Sequence, residues 1–227
     1  MKIFVWLFSL KPLQVQIAVP AEKLLYGMTV TSKARYNASI RINRLSQFSF
    51  YTATVLSLGL ILIPLLENAD IQLAYPTRVL NMLQIFLAVA VLVYSVVNST
   101  SRYETRAGKL NECGDRIKEL IRQLRADLAK GALQVDLNSY NQRYTDISTD
   151  SENHSRADYS LAVIRTPEYY NISGFPWLWE WIKAMGSNSM PYVLPAIMIG
   201  LEVVFILDML SITHLLTTSF KPVVTAR

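Results

Sequence analysis

The chain has 227 residues, of which 52% are hydrophobic and 17% are charged, and its formal net charge is +5. This balance is typical of a small membrane protein with a sizeable water-exposed part, and it excludes a chain built mainly of membrane spans. The single cysteine, Cys113, excludes a disulfide framework within one chain, and the two histidines, His154 and His214, lie far apart, so neither a metal site nor a cofactor is predicted.

Two uncharged runs near the middle of the chain predict a transmembrane hairpin. Residues 48–66 and 79–97 each form 19 positions without a charged side chain, which as helices are roughly 28 Å long, close to the ~30 Å thickness of the bilayer core. Residues 1–20 form an N-terminal extension, and a helix predicted over 22–47 runs directly into the first span, because no proline interrupts it.

The basic residues beside the two runs predict their orientation. Residues 1–47 carry seven Lys and Arg against one acid, and Arg102, Arg106 and Lys109 follow the second run. The positive-inside rule therefore predicts a multi-pass protein of the inner (plasma) membrane, with both flanks cytoplasmic and the loop 67–78 outside. Residues 98–189 hold twelve bases and twelve acids, so no direct nucleic-acid binding is expected.

The cytoplasmic part is predicted to be helical over 98–130 and 133–165. Apolar and small residues form a heptad seam after the second span: Tyr103, Ala107, Leu110, Gly114, Ile117, Ile121, Leu124 and Leu128. The second membrane helix is expected to continue into this seam, which pairs either with another chain or, as we favour, with the other helices of its own chain. Asp150 or Ser151 is the expected cap of the last helix in this part.

Residues 166–227 begin with a Trp-rich segment, 175–185, whose composition is typical of a bilayer interface. The apolar run 190–216 that follows is long enough to span the membrane, but it contains Glu202 and Asp208. Such acids are costly in hydrocarbon unless they are paired, for example with Lys183 or Lys221, or face water. The run is either a third membrane-inserted helix or a helix buried among the others. The predicted class is therefore an all-α integral membrane protein.

The second span carries a polar and small-residue stripe on one helical face: Asn81, Gln84, Ala88, Ser95 and Asn98. In an oligomer this stripe can line an aqueous pore, whereas in one chain it can hydrogen-bond the two helices together. His154 and Asp158 are four positions apart, so we expect them to clasp the cytoplasmic helices or to act as a protonation switch. No nucleophile stands at readable spacing from them, and no phosphate-binding loop is present, so catalysis is not predicted.

The order of these features resembles a known family. A basic helix with Arg35, Tyr36 and Ala38 leads into a hairpin, and a long helical part ends in ENHSRADY, residues 152–159, with the distinctive pairs Asn153-His154 and Asp158-Tyr159. Over about residues 20–165 the chain is similar to the SLATT proteins, two-transmembrane effectors associated with bacterial nucleotide-signalling and SLOG-domain conflict systems. We therefore assign 21–165 as a SLATT-like domain.

The resemblance implies a function in antiphage or other conflict systems. A partner encoded nearby, a nucleotidyltransferase or a reverse transcriptase, would trigger the membrane protein to oligomerise, form a pore and cause growth arrest or cell death. The alternative is a membrane scaffold that anchors a partner enzyme and conducts nothing. A small-solute transporter is disfavoured, because internal repeats and broken midplane helices are not visible in the sequence.

Overall fold

The computed structural model describes residues 2–9, 19–69, 71–130 and 135–216. Within these residues all regular elements are α-helices, which confirms the predicted all-α class. They are α1 (Lys2–Leu7), α2 (Pro20–Asn68), α3 (Thr77–Thr100), α4 (Tyr103–Ala129), α5 (Leu137–Thr149), α6 (Arg156–Ile164) and α7 (Gly174–Met209). By length and composition, α2, the stretch Thr77–Ala129 and α7 are each able to cross a membrane.

Helix α2 is continuous over 49 residues, as its uninterrupted pattern predicts. The second membrane helix does not continue in the same way, because α3 ends at Thr100 and α4 begins at Tyr103. Between them Arg102 has φ 46°, a left-handed conformation that breaks the α-helical hydrogen-bond pattern. The prediction that the second membrane helix continues unbroken into the heptad seam is therefore wrong, because the helix is interrupted at Ser101 and Arg102.

The chain divides into two compact units. The first, unit 1, combines residues 1–44 with 103–190. The heptad seam of α4 packs within this unit: Ile117, Ile121 and Leu124 share a buried cluster with Leu25 and Met28 of α2. Ala107 and Leu110 pack on Ala38 and Ile42, also of α2.

Capping residues explain where α5 and α6 begin. Asp136 accepts hydrogen bonds from the backbone N–H groups of Asn138 (3.1 Å) and Ser139 (3.2 Å). Ser155 caps α6 through a capping box with Asp158, since the two residues stand three positions apart. The predicted cap at Asp150 or Ser151 is therefore wrong. The helix predicted over 133–165 is in fact two helices, because α5 ends at Thr149 and α6 begins at Arg156; its predicted start at 133 lies outside the described residues.

The second unit, unit 2, combines residues 45–102 with 191–227. It contains the later part of α2, all of α3 and the last 19 residues of α7. Its buried cluster joins Ile63 of α2, Leu80 and Leu87 of α3, and Met209 of α7, together with Tyr75 from the loop between α2 and α3. Pro76 is the N-cap of α3, as expected for a proline that closes the loop.

Candidate functional site

Asp158 is the most completely buried charge in the described part of unit 1. It lies on α6 with no exposed side-chain surface and pairs with Arg41 of α2. The guanidinium binds both carboxylate oxygens, with Nε–Oδ1 at 3.1 Å and Nη2–Oδ2 at 2.9 Å. Ser155 donates to Oδ2 from its backbone N–H (3.1 Å) and its hydroxyl (2.7 Å). Asp158 therefore caps its own helix and joins that helix to α2.

Arg35 makes a second attachment from α2 to the same segment. Its guanidinium is buried and donates to the backbone carbonyls of Ser148, at 2.9 Å, and of Glu152. The Ser148 carbonyl belongs to the last turn of α5, where carbonyl groups have no partner within the helix. Arg35 and Arg41 together hold residues 148–158 on α2, and we call this arrangement the clasp.

His154 lies at the edge of the clasp, just before α6. Its ring stacks on Tyr159, with centroids 6.0 Å apart, and its Nδ1 is buried without a hydrogen-bond partner among the described residues. Burial lowers the pKa of His154, the nearby Arg35 lowers it further, and Asp158 opposes the change. The environment thus favours the neutral imidazole.

The sequence singled out His154 and Asp158, but it gave Arg35 only as part of the family resemblance and did not identify Arg41 as the partner of Asp158. His154 does not share a helical face with Asp158, because α6 begins only at Arg156. The spacing of the two arginines gave little signal, because six positions at 3.6 residues per turn place Arg35 and Arg41 about 120° apart around the axis of α2. A basic residue before a span is ordinarily read as an orientation signal, which hid its role as a partner for Asp158.

In unit 2 the stripe on α3 mostly faces away from the unit. Asn81, Ala88 and Ser95 are exposed, and neither the Asn81 nor the Ser95 side chain hydrogen-bonds another described residue. Gln84 donates to Glu67 of α2 at 3.2 Å, and Asn98 has a buried Oδ1 without a partner in the described chain. The stripe therefore makes only one side-chain hydrogen bond to the neighbouring helix among the described residues.

The two acids of α7 have different surroundings. Asp208 is fully buried. It accepts hydrogen bonds from the Tyr75 hydroxyl (2.7 Å), the Thr213 hydroxyl (3.0 Å) and the backbone N–H groups of Leu215 (2.7 Å) and Leu216 (3.0 Å). These donors satisfy a carboxylate at the end of a helix.

Glu202 is only 5% exposed, and neither carboxylate oxygen has a hydrogen-bond partner within the described residues. It lies against Gly59 of α2, where an added Cβ would stand 1.8 Å from Oε1. The absence of a side chain at Gly59 therefore makes room for the carboxyl group. Of the two suggested basic partners, Lys183 lies 3.7 Å from Glu180, and Lys221 is outside the described residues.

Among the described residues, no group of three His, Cys, Asp or Glu side chains could hold a metal ion. The two arrangements on which a function can be built are the buried ionic clasp in unit 1 and, in unit 2, the exposed polar residues Asn81 and Ser95 together with the enclosed acid Glu202.

Residues 17–207 match the SMODS and SLOG-associating 2TM effector domain family 5. No curated protein and no solved structure matches the chain. The matched region covers most of the chain and contains the clasp, the polar stripe and Glu202. The chain therefore belongs to this family of SLATT domains, two-transmembrane effectors of conflict systems that associate with SMODS and SLOG proteins.

Proposed function

We propose that this protein is a membrane effector of an antiphage system that oligomerises through unit 2 to form a pore. The observation that carries the proposal is the outward position of Asn81 and Ser95 on α3. Polar groups facing hydrocarbon lack hydrogen-bond partners, and in membranes such groups are satisfied by neighbouring helices or by water. In a ring of copies whose α3 polar residues face the centre, these groups can hydrogen-bond to neighbouring helices and to water.

Several copies are needed, because two or three helices cannot enclose a water path. The stripe on α3 then forms the wall of the pore or the contact between neighbouring copies: Asn81, Gln84, Ala88, Ser95 and Asn98. Glu202 and Asp208 are the two acids that α7 contributes to the same unit, and Glu202 has no stabilising donor in the described chain. A rearrangement that exposes Glu202 to the lumen would favour cations.

The clasp is the proposed receiver of the signal. Arg35 and Arg41 belong to the same continuous helix that carries Gly59 in the membrane unit. Release of residues 148–158 from these arginines would free α2 to change its packing. By the positive-inside rule we place unit 1 in the cytoplasm and the protein in the inner membrane, where a partner sensor or a nucleotide signal can reach the clasp.

The family description supports partners of the SMODS and SLOG classes. We propose that the trigger comes from such a partner, a nucleotidyltransferase or a reverse transcriptase encoded nearby. The output is growth arrest or death caused by a leaking membrane, without catalysis, cofactor or direct nucleic-acid binding. The second candidate is a non-conducting scaffold that anchors a partner enzyme through unit 1, the unit that the positive-inside rule places in the cytoplasm.

The test uses bacteria that express the chain with its neighbouring gene products. Membrane potential and entry of an impermeant dye are followed before and after the trigger, in the native chain and in Asn81→Leu/Ser95→Leu. This pair leaves the hydrogen bond between Gln84 and Glu67 intact. The matched control is Met82→Leu/Ile85→Leu, which changes two exposed apolar residues of α3.

We expect triggered depolarisation in the native chain and in the control, and at least a tenfold slower dye entry in the Asn81→Leu/Ser95→Leu chain at equal membrane abundance. Depolarisation by that variant at the native rate would show that α3 does not line the pore. If the membrane potential is unchanged under every condition while the partner is still recruited to the membrane, pore formation is contradicted and the scaffold function is supported.

A further inference from the structure

Helix α7 contacts α2 and the following loop at three heights within unit 2. Near one end, the rings of Phe48 and Tyr192 lie 5.3 Å apart. Eleven residues further along α2 and ten further along α7, Gly59 faces Glu202. At the other end the Tyr75 ring stacks on the ring of Phe205 in α7, with centroids 5.1 Å apart. The residue numbers rise together, so the two helices run parallel.

The outward face of this part of α7 is apolar. Leu194, Ile197 and Leu201 are 65%, 52% and 62% exposed, and no charged residue other than Glu202 occurs over 191–207. A helix on a water-exposed surface would carry polar residues on this face. The 19 residues 191–209 are roughly 28 Å long, which matches the ~30 Å core of a bilayer.

The chain after α7 stays at the loop end of the hairpin. The backbone N–H of Ala74 donates to the Met209 carbonyl at 2.9 Å, and Tyr75 donates to Asp208. Asp208 also accepts from the backbone N–H groups of Leu215 and Leu216. A segment that dipped into the membrane and returned would leave these residues at the opposite end, beside Phe48.

We infer that α7 crosses the membrane as a third span, parallel to the membrane part of α2, and delivers residues 210–216 to the side on which the hairpin loop 71–76 lies. The topology thus adds one crossing to the two-transmembrane pattern of the family. Tyr75 and Asp208 join the loop to the chain after the third span. This inference does not rest on pore formation, because the same three spans would anchor a non-conducting scaffold in the membrane.

The test measures which side of the membrane each segment faces. Single cysteines are introduced in a Cys113→Ser background, where the serine can keep the hydrogen bond to the Ile147 carbonyl. The three sites are exposed: Ile212→Cys after α7, Ile71→Cys in the loop and Arg125→Cys on α4. Intact cells are treated with an impermeant maleimide, and labelling is expressed as a fraction of that in denatured protein.

We expect Ile212→Cys and Ile71→Cys to be labelled alike, and Arg125→Cys to show the opposite accessibility before and after permeabilisation. Labelling of Ile212→Cys in the pattern of Arg125→Cys would overturn the third span. Because a cysteine variant can fail to insert correctly, a second measurement probes helix direction. We expect a short bismaleimide to cross-link Phe48→Cys with Tyr192→Cys, whose native rings lie close together. Cross-linking of Phe48→Cys with Phe205→Cys instead would show that the two helices are antiparallel, and it would overturn the inference.

Discussion

Arg41 and Asp158 form a bidentate ion pair in which the carboxylate has no exposed surface and the guanidinium is 22% exposed. Such a pair is not by itself a strong source of stability, since both ions lose hydration when they are buried. Removal of one partner is different, because the other charge then stays buried without compensation. We therefore expect the pair to contribute to the specific placement of α6 on α2 more than to stability itself.

We expect Arg41→Ala to lower the free energy of unfolding of unit 1 by about 3 kcal/mol. The value lies at the low end for broken buried pairs, because Ser155 still donates two hydrogen bonds to Asp158. The matched control is Arg116→Ala. It removes a pair with Asp150 in which both side chains are about half exposed, and it should cost at most about 1 kcal/mol.

Denaturant unfolding of the purified protein in detergent, followed by circular dichroism, measures both changes. Equal losses for Arg41→Ala and Arg116→Ala would show that the burial of Asp158 does not determine its contribution. In cells, the clasp hypothesis expects Arg41→Ala to depolarise the membrane without the trigger, while Arg116→Ala still requires it.

His154 should make the clasp sensitive to acid. Its pKa is lowered by burial and by Arg35, so the unfolded chain binds more protons at this site below about pH 6.5. The contribution of His154 to the free energy of unfolding is therefore complete above that pH and is lost as the pH falls through the lowered pKa of the folded state. A charged imidazole would also bring a second cation beside Arg35.

Hydrogen exchange of residues 148–158 at about pH 7.5 and about pH 5.5, corrected for intrinsic rates, measures this effect. We expect protection to fall at the lower pH in the native chain. His154→Phe, which keeps a ring to stack on Tyr159, should flatten the difference, whereas His214→Gln should leave it unchanged. The same loss of protection in His154→Phe as in the native chain would assign the acid sensitivity to other groups.

Two glycines of α4 provide a matched comparison of packing. An added Cβ at Gly114 would meet the Tyr36 ring at 3.0–3.2 Å, whereas Gly108 has open space around it. Alanine gains about 1 kcal/mol of helix propensity at either site, but at Gly114 it must displace a ring whose hydroxyl donates to Asp115 at 2.6 Å. Such overpacking costs about 1–3 kcal/mol.

Gly108→Ala should therefore raise the midpoint of thermal unfolding, and Gly114→Ala should unfold at a lower temperature than Gly108→Ala. The measurement is differential scanning fluorimetry of both variants and the native chain in the same detergent. A variant with Tyr36→Phe added to Gly114→Ala separates loss of the hydrogen bond from crowding of the ring. Equal midpoints for the two alanine variants would mean that α4 is not held close to Tyr36.

The helices were predictable where one physical signal dominated. Uninterrupted apolar runs predicted the cores of α2 and α3, and heptad spacing predicted the buried face of α4. The ends depended on competing local signals. Ser101 and Arg102 contain no proline or glycine that would mark the break between α3 and α4. At α6, three candidate caps stand close together, and only the three-residue spacing of Ser155 and Asp158 forms a reciprocal capping box.

The candidate sites were predictable only as residue types. Asp158 was identified, but its partner Arg41 is separated from it by 117 positions, and no periodicity connects them. The stripe on α3 was visible as a pattern, but its direction depends on which other face packs on α2. Gly59 carried no signal at all, because a glycine in an apolar run is ordinary in membrane helices.

Gly59 and Glu202 offer the most direct test of how α7 packs in the membrane unit. A Cβ at position 59 would lie 2.7 Å from Cδ of Glu202 as well as 1.8 Å from Oε1, so the carboxyl group must leave its position. Gly59→Ala should lower the thermal midpoint and loosen α7, while Gly200→Ala, with nothing within 4 Å, should not.

Removing the acid as well, in Gly59→Ala/Glu202→Ala, should recover part of the loss, because the added methyl group then meets no carboxyl. We expect a coupling energy of about 1–3 kcal/mol between the two positions. Strictly additive effects would show that Glu202 does not lie against Gly59 in the membrane.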